Sequence, residues 1–361
     1  LLACALWLGF LLNATALDWP MWRGDVRRSG ATHEVLPAKL DLIWTRELTP
    51  AKPAWPNEAR LHFDASYEPI VVGGRMIVGS PNDGSVTAYS TGTGRELWKL
   101  YTDGPVRLAA VAWRGKIYFG SDDGYLYCVD AAKGSLLWKV RGAPNARRDY
   151  RHLGNGRLIS VWPVRGGPVL ANGVVYFGAG VWPTMGVFVR AVDAATGKVL
   201  WTNANSHAIK NVRIDHNYLH ESGISPQGHM LIAGDMLVVP NGRSMPARLD
   251  LKTGELKYFV QGYRNGDSRV ILGGKVVLVG ASGVISLKDG REIASRWAAA
   301  GKDAPSGWSN NKDLFEGPMY AYKFLPGCDY RSVIDKGTCY GMEKGVLYAH
   351  DLDRAITSLY D

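Results

Sequence analysis

One motif returns in phase along this chain, and it limits the fold more than any other feature. Gly115-Lys116-Ile117-Tyr118-Phe119-Gly120-Ser121 leads through Asp123-Gly124 to Leu126-Tyr127-Cys128-Val129-Asp130, then to Gly134 and Trp138. An earlier copy runs from Gly74 through Asp83-Gly84 to Tyr89, Gly94 and Trp98. A later copy runs from Gly173 through Ala191-Val192-Asp193 to Gly197 and Trp201. A weaker fourth extends from Gly234 to Thr253-Gly254, with Tyr258 in the tryptophan place. A degenerate fifth covers 274–290, and a sixth begins near Gly317 and is still legible at 345–349.

Each unit reads as strand, Asp-Gly turn, strand, Thr-Gly or Lys-Gly turn, strand. Apolar alternation within 117–119 and 126–129 has the period of half-buried strands. Asp-Gly between two such runs is a strong hairpin signal. A unit this short cannot bury both faces of its own sheet, whereas units placed radially bury them against one another. The expected fold is therefore all-β, a β-propeller of four-stranded antiparallel blades. About six blades are represented, and a complete ring is expected to have seven or eight. Trp98, Trp138 and Trp201 each follow a turn glycine by four residues, so they are expected to wedge between neighbouring blades. Residues 42–46, with Trp44, resemble an outer strand without its blade, of the kind that closes a propeller ring.

Composition agrees: 43 glycines in 361 residues, 46% apolar and 21% charged, suits strands joined by tight turns and not a helical bundle. Residues 1–16 carry no charge and end in Ala14-Thr15-Ala16, which predicts an export signal whose basic leader is missing. Residues 17–361 are then the propeller domain, expected to be cut short at its C-terminal end. The apolar run is shorter than the roughly 20 residues a membrane span needs, so no transmembrane segment is expected after cleavage. Leu1-Leu2-Ala3-Cys4 fits a lipoprotein box poorly, because apolar residues continue beyond Cys4. The expected location is periplasmic or extracellular. Cys328 and Cys339 flank a short loop and could pair in an oxidising compartment. Cys128, inside a strand pattern, is expected to be a buried small apolar residue. A net charge of +9 favours anionic partners. For an exported protein that points to an envelope protein or an anionic polymer, with no nucleic acid.

The run Ala191-Val192-Asp193-Ala194-Ala195-Thr196-Gly197-Lys198-Val199-Leu200-Trp201 closely resembles the pyrroloquinoline-quinone (PQQ) repeat. Asp130 to Trp138 and Thr93 to Trp98 match it in part. The opening Asp18-Trp19-Pro20-Met21-Trp22-Arg23-Gly24 and the stretch 154–168 are similar to exported bacterial propellers of this PQQ-like, quinoprotein-type family, which also includes BamB-like assembly lipoproteins. The resemblance implies the fold strongly and the chemistry weakly. Enzymes of the family set a quinone against a disulfide between adjacent cysteines and bind calcium, but this sequence has no Cys-Cys pair. The expectation is a non-catalytic binding or scaffold module. The alternative is a PQQ-dependent dehydrogenase of alcohols or sugars, with PQQ and calcium as cofactors.

Two clusters are chemical candidates. Arg141, Arg147, Arg148, Arg151, Arg157 and Arg165 crowd one inter-blade insertion opposed by Asp149 alone. Guanidinium forks suit carboxylates and phosphates, so Arg147, Arg148 and Arg151 are candidate ligand-binding residues, set against a plain solvated basic loop. His216 and His220 are four apart, a spacing that on a helix would present two imidazoles to a metal; otherwise they belong to a polar inter-blade loop. The repeat glycines are not a phosphate cradle, since no helix follows them. Asp130, Asp193 and Asp250 each precede a turn whose amides a carboxylate can accept, and are expected to be structural. No catalytic residue is assigned.

Overall fold

The computed structural model describes residues 17–154, 156–215, 218–242, 244–259, 266–280, 283–287, 292–294 and 331–354. The repeat becomes a series of antiparallel meanders. Blade I comprises Ile70–Val72, Arg75–Gly79, Ser85–Ser90 and Glu96–Tyr101, and blade II comprises Val111–Trp113, Lys116–Gly120, Tyr125–Asp130 and Leu136–Arg141. Blade III comprises Val164–Ala171, Val174–Ala179, Phe188–Asp193 and Val199–Asn203, with the short strand Gly228–His229 added in parallel to its innermost strand. Blade IV comprises Leu231–Ala233, Met236–Asn241, Ser244–Asp250 and Leu256–Tyr258. Blade V comprises Val270–Gly273, Val276–Val279, Gly283–Ser286 and Glu292–Ala294, and blade VI has Val333–Asp335, Thr338–Glu343 and Val346–Asp351. The fold is all-β, as expected. Among the described residues no helix is long and apolar enough to cross a membrane.

The tight turns follow from their residues. Gly124 takes φ +91°, where a side chain is strained, and a Cβ there would stand 2.8 Å from Ser160 Oγ. Asp193 Oδ1 accepts the Thr196 amide at 2.8 Å and its hydroxyl at 2.7 Å, which holds that carboxyl below its ordinary range. Asp130 and Asp250 accept turn amides in the same way. These three aspartates pin turns.

The tryptophans form seams. The indoles of Trp98, Trp138 and Trp201 lie on the turn glycines of the next blades, Gly134, Gly197 and Gly254, where a Cβ would come within 2.5, 2.8 and 2.4 Å of the ring. The glycine is required because the ring occupies the place of its side chain. Trp98 Nε1 donates to Ala131 O at 3.0 Å and Trp201 Nε1 to Leu251 O at 3.2 Å. Trp138 differs: the equivalent carbonyl, Ala194 O, accepts the Tyr118 hydroxyl at 2.9 Å, and Trp138 Nε1 is buried without an acceptor. One apolar core lies between blades I and II, around Ile77, Ile117 and Phe119; a larger one surrounds blade III, around Tyr118, Phe177 and Phe188.

Trp44 repeats the seam on Gly94, and its Nε1 donates to Thr91 O at 2.7 Å. Residues 42–46 nevertheless form no strand, against expectation, and Leu42 and Ile43 are exposed. Among the described residues no neighbouring strand pairs with this backbone, and side chains hold it: the Trp44 indole, and Arg46 over the Tyr89 ring at 4.8 Å. Cys128 is fully buried and its thiol is pushed up to about 11. Cys339 is disulfide-bonded; Cys328, the residues 1–16 and Gly317 lie outside the described residues.

Candidate binding site on the connection face

In a meander blade the first-to-second and third-to-fourth turns share one end. The second-to-third turns and the connections to the next blade share the other. The first end carries only short turns, such as Gly73-Gly74 and Gly115. The second, the connection face, carries everything added to the repeat. A hairpin of Arg151–Gly154 with Arg157–Ser160 stands between blades II and III, and one of Ile209–Asp215 with Tyr218–Ser222 between blades III and IV. Residues 51–69 and the 3-10 turn Pro183–Met185 are on the same face. Elaboration confined to one end of a repeat scaffold is where binding residues are expected.

The axis behind this face is filled by the N-terminal segment. Trp19 pairs with Val71 of blade I, and Pro20 O accepts from Ala112 of blade II at 2.7 Å. Val26, Arg27 and Ser29 carbonyls accept the Ile232, Leu272 and Ile334 amides of blades IV, V and VI at 2.9, 2.9 and 3.0 Å. Arg28, fully buried, reaches Pro168 O of blade III at 3.0 Å and Met230 O at 2.7 Å. Desolvation lowers its guanidinium to about 9, with Asp25 and Glu68 acting in the opposite sense.

Beneath this plug is a cavity of about 430 Å³ lined by Trp22, Arg23, Tyr67, Glu68, His229 and Arg269, among others. Trp22 stacks on His229 with ring centroids 4.5 Å apart and planes at 14°. His229 Nε2 meets Glu68 Oε2 at 2.6 Å, and the same oxygen accepts the Ala109 amide at 3.0 Å. His229 Nδ1 is buried without a partner, facing the place where a side chain on Gly167 would stand. Nearby, two arginines and two aspartates neutralise one another out of water. Arg165 Nη1 meets Asp64 Oδ2 at 2.8 Å and its Nε meets Asp122 Oδ1 at 2.8 Å. Arg107 Nε meets Asp122 Oδ2 at 2.6 Å and its Nη1 lies 3.3 Å from Asp64 Oδ2.

The arginine insertion is thus split. Arg165 belongs to the buried cluster and stacks over Trp55 at 4.7 Å. Arg147 is exposed but lies over Trp162 and Phe188, at 5.9 and 5.6 Å. Arg151 pairs with Asp149 at 3.6 Å, and Arg148 is exposed. His216 lies outside the described residues. His220 is exposed on the strand Tyr218–Ser222 and not on a helix, its Nδ1 3.1 Å from Glu221 O. Among the described residues no three His, Cys, Asp or Glu side chains gather as metal ligands would. Sequence reading missed the Arg107–Asp64–Asp122–Arg165 cluster, whose one signal was an arginine set between valine and glycine at the start of a buried strand. It also missed Glu68, His229 and Trp22.

The architecture defines a propeller of PQQ-type repeats with its axis plugged and one face elaborated. The family model described as outer membrane protein assembly factor BamB matches residues 41–180 and 122–320, and the chain belongs to that BamB-like family. The dehydrogenase subunit of alcohol dehydrogenase (quinone) from Gluconobacter oxydans is 33% identical over 175 residues, 45% of this chain and 22% of that protein. Tetrathionate hydrolase of Acidithiobacillus ferrooxidans is 33% identical over 132 residues, 33% of this chain and 23% of that protein. The matches thus span only about a fifth of these relatives' length. Among solved structures, a europium-containing methanol dehydrogenase superposes with TM-score 0.52 at 15% identity, covering 76% of this chain and 57% of that one. Quinohemoprotein alcohol dehydrogenase from Comamonas testosteroni gives 0.51 at 19% identity, covering 76% and 48%. These superpositions establish the fold.

Proposed function

We propose that this protein is an exported, non-catalytic binding or scaffold module whose connection face holds an envelope protein or an anionic polymer. The observation that carries this reading is the contrast between face and axis. The face bears two hairpins and a surplus of arginine, while the buried Arg107 and Arg165 are ion-paired with Asp64 and Asp122. The match to the BamB assembly-factor family over residues 41–180 and 122–320 supports it. In the test, the hairpin Arg151–Gly154 with Arg157–Ser160 is replaced by a short turn. Unchanged circular dichroism with lost association to purified envelope fractions is the expected result; full retention of association would overturn the reading.

A second reading, a PQQ-dependent oxidoreductase with calcium, is favoured by the 33% identity to alcohol dehydrogenase (quinone). The described cavity residues fit that pair poorly. His229 already covers Trp22, and Glu68 is engaged by His229 and the Ala109 amide. Titration with quinone and calcium, followed by absorbance and by dye reduction, separates the two readings: saturable uptake with turnover favours the second.

A further inference from the structure

The protein holds two arginine clusters that differ in charge balance, although Arg165 Nε, like Arg190 Nε, is buried without a hydrogen bond. Arg107 and Arg165 are matched by Asp64 and Asp122. The cluster at the base of the Arg151–Ser160 hairpin has no such match. Arg190, on Phe188–Asp193, is only 7% exposed; its Nη1 donates to Arg141 O at 2.7 Å and its buried Nε meets no acceptor. Arg141 donates Nη1 to the Arg147 carbonyl, while its Nη2 is buried without a hydrogen bond, 3.8 Å from Asp149. Asp149 is itself shared with Arg151 at 3.6 Å. Arg141 and Arg147 both lie over Trp162, at 5.7 and 5.9 Å, so the guanidiniums gather on one aromatic floor.

Burial, and secondarily the neighbouring Arg141, lowers the Arg190 guanidinium to about 10. A desolvated cation with donors left over is stabilised when an oxyanion supplies the missing acceptors, and planar forks suit phosphate and carboxylate. We propose that Arg141 and Arg147, gathered on Trp162, together with the buried Arg190 bonded to the Arg141 carbonyl, form an oxyanion site that takes the phosphate or carboxylate group of an anionic ligand. The site lies on the connection face, since Arg141 ends an outer strand and Arg190 sits near the start of a third strand. It rests on the reading of that face as a binding surface and names the chemistry it selects.

The test titrates the protein with inorganic phosphate and, separately, with trigalacturonate, at constant ionic strength set by chloride, using calorimetry. Saturable binding of one or both is expected. R141Q, R147Q and R190Q should each weaken it on the order of tenfold. R114Q, exposed at the turn end and outside the cluster, should leave it intact. Phosphate binding alone identifies a phosphorylated ligand, and uronate binding alone an acidic saccharide. No saturable binding of either, or an R114Q loss equal to that of R147Q, overturns the proposal. If R190Q does not fold, the surface variant R147Q decides. Envelope association lost on hairpin replacement but kept in R147Q would sink the oxyanion site and spare the broader reading.

Discussion

The two ends of this propeller obey different rules. At the turn end, Trp98, Trp138 and Trp201 cover Gly134, Gly197 and Gly254, and the same few residues are reused from blade to blade. At the connection end the links between blades I and IV differ from one another: one is short, one carries an arginine-rich hairpin, and another a hairpin with histidine. Packing between neighbours fixes the first end, because the turn glycines of blades I to IV each meet an indole. The second end has no such partner and is free to carry added residues.

That contrast can be broken from the turn end first. W98A removes a ring that is 9% exposed and should cost about 3–5 kcal/mol by denaturant titration. A loss under ~1 kcal/mol would mean the seam does not hold the blades. G134A drives a Cβ to 2.5 Å from that ring at a φ of +69° and should cost roughly 1–3 kcal/mol. Y118F should cost less than ~1 kcal/mol, because the Trp138 indole nitrogen, without an acceptor, can take over Ala194 O. R148Q and R157Q at the connection end should change stability by no more than about 0.5 kcal/mol.

A pH test sharpens the same point. The Cys128 thiol ionises near 9 when unfolded and is pushed up to about 11 by burial in the native protein. Above pH 9 the unfolded chain therefore releases this proton first, and the associated stability is lost as pH rises toward 11. The fall in melting temperature between pH 8 and 10 should be shallower in C128A than in the unaltered protein. Iodoacetamide at pH 8 should leave the native Cys128 thiol unmodified.

The turn end was legible in the sequence because its constraints are local. A glycine four residues before a tryptophan, or an aspartate before a Thr-Gly, carries its geometry within one hairpin. The connection end was legible only as composition. Arg165 looks like one more arginine in a basic run, yet its partner Asp64 is 101 residues away and no periodicity relates the two. Glu68 and His229 are 161 residues apart. His216 and His220 have a metal-like spacing for a helix, but His220 sits on the strand Tyr218–Ser222, where that helical argument does not apply.

Stacked repeats touch only adjacent repeats, so such arrays ordinarily fray from whichever end is weaker. Here a single stretch of main chain near the N-terminus bonds directly to blades I, II, IV, V and VI, and to blade III through Arg28. It works as a keystone. Sheets far apart around the arc share one support, so unfolding should be all-or-none and not sequential. Trimming that stretch should broaden the melting transition before it lowers the midpoint of any one blade.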